Sequence, residues 1–199
     1  MSAPPVAEII FMRHGETDWN RASLVQGHED QSRLTPEGRA HVATVARSLK
    51  SEGVTMIIAS DLHRAQESAG IVAHELARPV LTSPLVRERS FGILEGGPRS
   101  ALVAEVTGIV GDVVVDVDCA PDGGETLHAL TARAAAFFAL AAREWSQERL
   151  LVVTHGGTIR ALLAAAANRS LQGTHWGEVE NCSLWRVPFP TDSAERPTN

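Results

Sequence analysis

Residues 8–15 read EIIFMRHG. Ile9, Ile10, Phe11 and Met12 are apolar without alternation. A strand with one wet face alternates, so this run fits a strand covered on both faces. It ends on Arg13 and His14, one permanently cationic and one cationisable, and Gly15 frees the backbone to turn. A core strand with such an ending presents both groups at the rim of its sheet.

The pattern returns further along. VTMIIAS (54–60) and RLLVVTH (149–155) are unbroken apolar strands, PVLTS (79–83) is a shorter one, and CSLWRVPF (182–189) is the last. Helical spacing separates them. In LTPEGRAHVATVARSLKSEG (34–53) Thr35 fits the N-cap, Pro36 the first helical position and Gly53 the stop, with Val42, Val45, Ala46 and Leu49 on one face. DLHRAQESAGIVAHELA (61–77) is helical through Ala65, Ala69, Val72 and Leu76. ETLHALTARAAAFFALAAREW (125–145) is a long helix with Leu127, Leu130, Ala134, Phe137 and Ala141 inward, and TIRALLAAAA (158–167) is another. Residues 83–124 are irregular apart from a short helical candidate, RSALVAEV (99–106). Doubly covered strands alternating with helices predict an α/β sandwich around a mainly parallel sheet. No repeat or linker divides the 199 residues, so one domain is expected, with a frayed tail at 190–199.

Bulk properties narrow the partners. A net charge of -6 excludes a general affinity for nucleic acid or anionic membrane, so any bound anion needs a local pocket. The longest late apolar stretch, ALLAAAAN (161–168), is too short to span a bilayer, and MSAPPVAE lacks a basic signal-peptide start. Two cysteines, Cys119 and Cys182, make no disulfide framework, and the expectation is a cytoplasmic protein. The final strand, with Trp176 or Trp185, could support a homodimer.

Ligands of parallel α/β sheets bind at the carboxyl ends of the strands. Arg13 and His14 follow the first strand, Arg64 the second, Glu88 the third, and His155, Gly156 and Gly157 the late one. Singly each has a bland explanation: a satisfied histidine, a solvated arginine, a turn. Four such coincidences at one edge point to a pocket. Two arginines and a protonated histidine suit phosphoryl oxygens, a neutral histidine is a nucleophile, and a carboxyl can protonate a leaving alkoxide and then activate water. The amides opening the helix after His155 can donate to an anion. No HExxH or carboxylate-rich set accompanies the histidines, which leaves a metal hydrolase as the weaker alternative.

At these residues the chain resembles the histidine phosphatase superfamily, the phosphoglycerate mutase-like group. The motifs are RHGET (13–17) with Asn20, QG (26–27), SDLHRA (60–65), ERSFGILEG (88–96), GGET (123–126) and THGG (154–157). The resemblance implies a three-layer α/β/α sandwich with a small lid insertion, about 83–124. It implies that His14 becomes phosphohistidine, that Arg13, Arg64 and His155 hold the phosphoryl oxygens, and that Glu88 is proton donor and later base. Asn20, Gln26, Gly27 and the Gly156 amide would add phosphate or substrate contacts. No metal or other cofactor is implied, and the partner would be a small phosphorylated metabolite. HEDQSR (28–33) is longer than the usual spacing, with Arg33 where proline is common, and Ser68 stands where threonine is frequent. Within the lid, GGPRSALVAEVTGIVGDVVVDVD (96–118) has one basic residue, Arg99, against Asp112, Asp116 and Asp118, and looks unsuited to a second phosphate. Arg87, Arg89 and Arg99 are candidates for reading an acidic substrate. The expected activity is a metal-independent phosphomonoesterase. A cofactor-dependent phosphoglycerate mutase and a catalytically idle phosphoester-binding module are the alternatives.

Overall fold

In the computed structural model, which describes residues 8–189, Ile9 and Phe11 bury into one layer and Ile10 and Met12 into the other. They belong to β1 (Glu8–Arg13). With β2 (Met56–Ala59), β3 (Val80–Thr82), β6 (Leu150–Thr154) and β7 (Leu184–Pro188) it forms one sheet in the order β3-β2-β6-β1-β7. The first four strands run parallel, and β7 lies antiparallel to β1 at the edge. Helices α2 (Pro36–Ser48) and α3 (His63–Leu76) cover one face, and α5 (Leu127–Glu144) and α6 (Gly156–Ala166) the other. A short α1 (Asp18–Arg21) follows the first strand. The three-layer, mainly parallel architecture is therefore present. No helix among the described residues is long and apolar enough to cross a membrane. MSAPPVA and the tail at 190–199 lie outside the described residues.

Local chemistry sets the helix starts. Thr35 Oγ1 accepts from the Gly38 amide at 2.9 Å, and Thr126 Oγ1 from the Ala129 amide at 3.0 Å. The five residues expected on the inner face of α5 are buried there.

The lid departs from expectation. RSALVAEV is not one helix: a 3-10 turn, Arg99–Ala101, is followed by α4 (Ala104–Thr107). A segment this short cannot repay helix nucleation, and Gly108 ends it in the left-handed region. After it comes a hairpin, β4 (Ile109–Val110) and β5 (Val113–Val114), turning at Gly111 and Asp112. Two-residue strands are too short to show a period in sequence.

Register places the site. Arg13 pairs with Thr154 across the parallel β1/β6 ladder, so His14 and His155 leave the sheet side by side. The turn after His14 is then locked from below. Gly15 N–H donates to Ser68 Oγ at 3.0 Å, and that hydroxyl donates to the Arg64 carbonyl at 2.7 Å. Gly38 of α2 fits under the same turn, where a Cβ would stand 2.2 Å from the Glu16 carbonyl oxygen.

This close approach predicts the sign of a substitution. Gly38→Ala gains at most about 1 kcal/mol of helix propensity. The clash is with backbone, which cannot rotate away, and overpacking of this kind costs about 1–3 kcal/mol. Urea unfolding should therefore show net destabilisation, with a lower midpoint at unchanged m-value. A stabilised Gly38→Ala protein would show that the turn moves freely.

Candidate active site

A cavity of about 510 Å³ opens at the carboxyl ends of the strands. His14 lines it, almost wholly buried. Its Nδ1 lies 2.8 Å from the Gly15 carbonyl oxygen. A carbonyl only accepts, so Nδ1 carries the proton and Nε2 keeps a free lone pair. Burial, then Arg64 and Arg13, push its pKa well below the ordinary histidine value.

His155 sits beside it, ring centroids 5.2 Å apart. It is fully buried, and neither ring nitrogen has a hydrogen-bond partner among the described residues. Burial, Arg64, His14 and Arg13 push its pKa well below normal too. Burial and the two guanidinium groups oppose a positive charge on His155, which a bound phosphoryl dianion would favour.

The arginines supply the charge. Arg64, 1% exposed, donates from Nη2 to the Gly27 carbonyl at 2.7 Å and from Nη1 to Glu29 at 3.1 Å. Burial draws its pKa down to about 10, which leaves it cationic. Arg13 donates to the Val179 carbonyl. The Nε atoms of both are buried with no partner among the described residues.

Glu88 is held by the start of α6. Its carboxylate accepts from the amides of Gly157 and Thr158, each at 3.1 Å, and of Arg89 at 2.9 Å. The helix N-terminus read as a phosphate contact thus grips the protein's own carboxylate, with its amide donors and its positive dipole end. Gly156 lines the cavity without a side chain, and Gly157, expected at this edge but given no contact of its own, is what lets Glu88 approach.

Asn20, Gln26 and Gly27 also line the cavity. Asn20 Oδ1 accepts from the Thr17 amide, and Gln26 Oε1 from Ser32 Oγ. Arg99 also lines the cavity. Arg87 does not line the cavity: its fork closes on Asp61 at 2.6 and 2.7 Å, a geometry better than any transient substrate contact, so its assignment to substrate is corrected. Arg89 spends its guanidinium on the carbonyls of Thr107, Cys119 and Glu125. Among the lining residues that sequence reasoning did not place at the cavity are Arg160 and Trp176. Arg160 of α6 packs its guanidinium 4.6 Å from the Trp176 ring and donates to the carbonyls of Trp176 and Gly177. The IR of GGTIR was the only available signal. Trp176 thereby turns inward, while Trp185 on β7 is 37% exposed. Among the described residues no three His, Cys, Asp or Glu are grouped as metal ligands would be.

A sequence profile of the histidine phosphatase superfamily (branch 1) matches residues 9–195. The chain belongs to this family. It is 31% identical over 190 residues to a Yersinia enterocolitica protein named "Probable phosphoglycerate mutase GpmB", over 92% of this chain and 85% of that one. A solved mycobacterial glucosyl-3-phosphoglycerate phosphatase, complexed with VO3, superimposes with TM-score 0.80 at 27% identity over 90% of each chain. A phosphoserine phosphatase of Entamoeba histolytica shares the fold, with TM-score 0.78 at 23% identity over 90% of this chain and 89% of that one.

The depressed histidines make stability depend on pH. Below about pH 6.5, the ordinary histidine value, the unfolded chain binds protons that folded His14 and His155 refuse. Stability should be fullest above that value and fall as pH drops through it towards the folded pKa values. Urea unfolding at about pH 7.5 and 5.5 measures this, and His155→Asn, which removes one of the two groups, should flatten the loss. An unchanged slope in His155→Asn would mean that His155 titrates normally in the fold.

Glu88 gives a second test. A Cβ on Gly157 would stand 2.5 Å from Glu88 Oε1, the end of a mobile side chain rather than backbone. Gly157→Ala should therefore melt close to wild type while losing turnover on the order of a hundredfold, because the carboxyl is pushed off its seat. Near-native turnover would show that the seat is dispensable.

Proposed function

We propose that this protein is a phosphomonoesterase that hydrolyses a small phosphorylated metabolite through a phosphohistidine on His14. The observation that carries it is the tautomer of His14. A buried, neutral imidazole with its proton tied to Gly15 offers Nε2 as a nucleophile. It does so between two arginines that can hold phosphoryl oxygens.

Nε2 attacks phosphorus as the ester bond breaks, and the leaving alkoxide takes the proton of Glu88. Glu88 then takes a proton from water, the hydroxide displaces phosphate from His14, and the carboxyl is restored. Charge on the oxygens in flight is met by Arg13 and Arg64, and the unpartnered His155 can donate to them. Asn20, Gln26, Gly27 and Gly156 line the cavity together with Arg99, Arg160, Trp176, Asp112 and Glu178. A phosphorylated metabolite with further negative charge would meet Arg99 and Arg160 there, with Asp112 and Glu178 opposing it, and the mycobacterial relative is named for such a substrate. The free thiols Cys119 and Cys182 fit a cytoplasmic setting.

The Yersinia relative's name favours a second reading, a mutase. Against it, the lid commits Arg89 to three carbonyls and retains one cation, Arg99, facing the cavity. Transfer to a second alcohol of a retained phosphate would need more.

Purified protein with chelator present should release phosphate from a panel of phosphomonoesters, and His14→Ala should be inactive yet folded. Brief incubation with labelled substrate and an alkaline quench should leave label on His14. Label on another residue type overturns the mechanism, and labelled phosphate passing to a monophosphoglycerate rather than water favours the mutase.

A further inference from the structure

Glu88 stands on neither helix nor strand. It lies between a 3-10 turn, Pro84–Val86, and another, Gly92–Leu94. A proton donor on irregular backbone must be fixed by other means, since loops hold catalytic groups less accurately than regular elements do. The carbonyls of four successive residues supply the means. Thr154 Oγ1 donates to the Val86 carbonyl at 2.6 Å, and Thr158 Oγ1 donates to that of Arg87. Arg133 takes the rest: Nη1 donates to Leu85 at 2.9 Å and Arg87 at 2.8 Å, and Nη2 to Glu88 at 3.2 Å. His28 Nε2 also donates to the Glu88 carbonyl, at 2.8 Å.

Arg133 is oriented in turn by Glu125, just before the N-cap of α5. Nε reaches Oε1 at 3.0 Å and Nη2 reaches Oε2 at 2.8 Å. Three carbonyl and two carboxylate contacts use all five N–H donors of the guanidinium. Nothing remains for a substrate, and Arg133 does not line the cavity. Glu125 is fixed as well, since its amide donates to Ser90 and its carbonyl accepts from Arg89. The GGET motif (123–126), which the chemistry leaves without a role, thus carries in its third residue, Glu125, the group that aims Arg133.

We propose that Arg133, aimed by Glu125, is a positioning residue for the proton transfer made by Glu88. It ties the backbone of the acid to α5, while the amides of α6 hold the carboxyl. The inference rests on Glu88 being the proton donor. A simple structural brace would lower all activities together. A positioning residue acts where the proton matters.

The test compares turnover of glycerol phosphate, whose alkoxide needs a proton, with p-nitrophenyl phosphate, whose phenolate departs without much help. Under conditions where the first chemical step is followed, Glu88→Gln should lose on the order of a hundredfold on glycerol phosphate and far less on p-nitrophenyl phosphate. Arg133→Lys, which keeps the charge but cannot span five acceptors, should follow the same selectivity with a loss of about tenfold or more on glycerol phosphate alone. KM should change little for either substrate. Glu125→Gln should act in the same direction and more weakly. Arg133→Ala is the stronger variant if it folds, and Arg133→Lys decides the matter if it does not. If Glu88→Gln discriminates and Arg133→Lys lowers both substrates equally, or neither, the positioning role is overturned while the phosphatase reading stands. If Glu88→Gln itself fails to discriminate, Glu88 is not the proton donor, and the assignment of Arg133 falls with it.

Discussion

The buried charge of Arg64 is the constraint around which the site is organised. A guanidinium at 1% exposure has given up most of its hydration, and removing an ion from water costs several kcal/mol even after relaxation. Among the described residues no carboxylate closes on it directly; carbonyls of Gly27 and Glu29 take two of its donors, and Glu88 acts on it through the field. That arrangement leaves the Arg64 charge without a carboxylate in hydrogen-bond contact among the described residues. Burial first, and then the same field, push the pKa values of His14 and His155 well below the ordinary histidine value. It also explains why the QG loop must approach so closely, since Gly27 supplies one of the two carbonyls.

Around that charge the protein uses backbone amides and carbonyls more than ion pairs. Glu88 is gripped by three amides, Arg89 by three carbonyls, and Ser68 joins the nucleophile turn to the helix that carries Arg64. Backbone dipoles stay fixed while charge moves during a reaction, whereas exposed ion pairs rearrange and are screened. The ion pairs that do exist mostly serve other ends. Arg149 links Glu8 and Glu52 and Arg186 also reaches Glu52, while Arg87 is retained by Asp61.

Much of this was legible in the sequence, for a physical reason. Strands buried on both faces leave unbroken apolar runs, and capped helices leave Thr35 and Thr126 at their starts, so the sandwich could be read. The sheet edge could be read too, because parallel topology brings separate strand ends together. What could not be read is partner choice. Arg87 and Arg64 are the same side chain a short distance apart, and only three-dimensional neighbours assign one to Asp61 and the other to the cavity. Whether the amides of α6 meet a substrate or Glu88 turns on a contact between residues 88 and 157, which no local pattern encodes. The charge of His155 depends on burial as well as neighbours, and Arg160 and Arg133 look like any helical arginine until their acceptors are seen.

The sheet order has a further consequence for how the chain acquires its shape during synthesis. Ile9 finds its neighbours only in Leu150 and Val187, because β1 lies between β6 and β7. The strand bearing the nucleophile is made early and seated late. At ribosomal speeds the interval is on the order of ten seconds. Throughout it an unpaired, wholly apolar segment ending in Met12 must stay out of wrong partnerships, and α2 and α3 have to collect around β2 and β3 without it. The reactive histidine therefore has no pocket while the chain is growing, and catalytic competence arrives with the final strand.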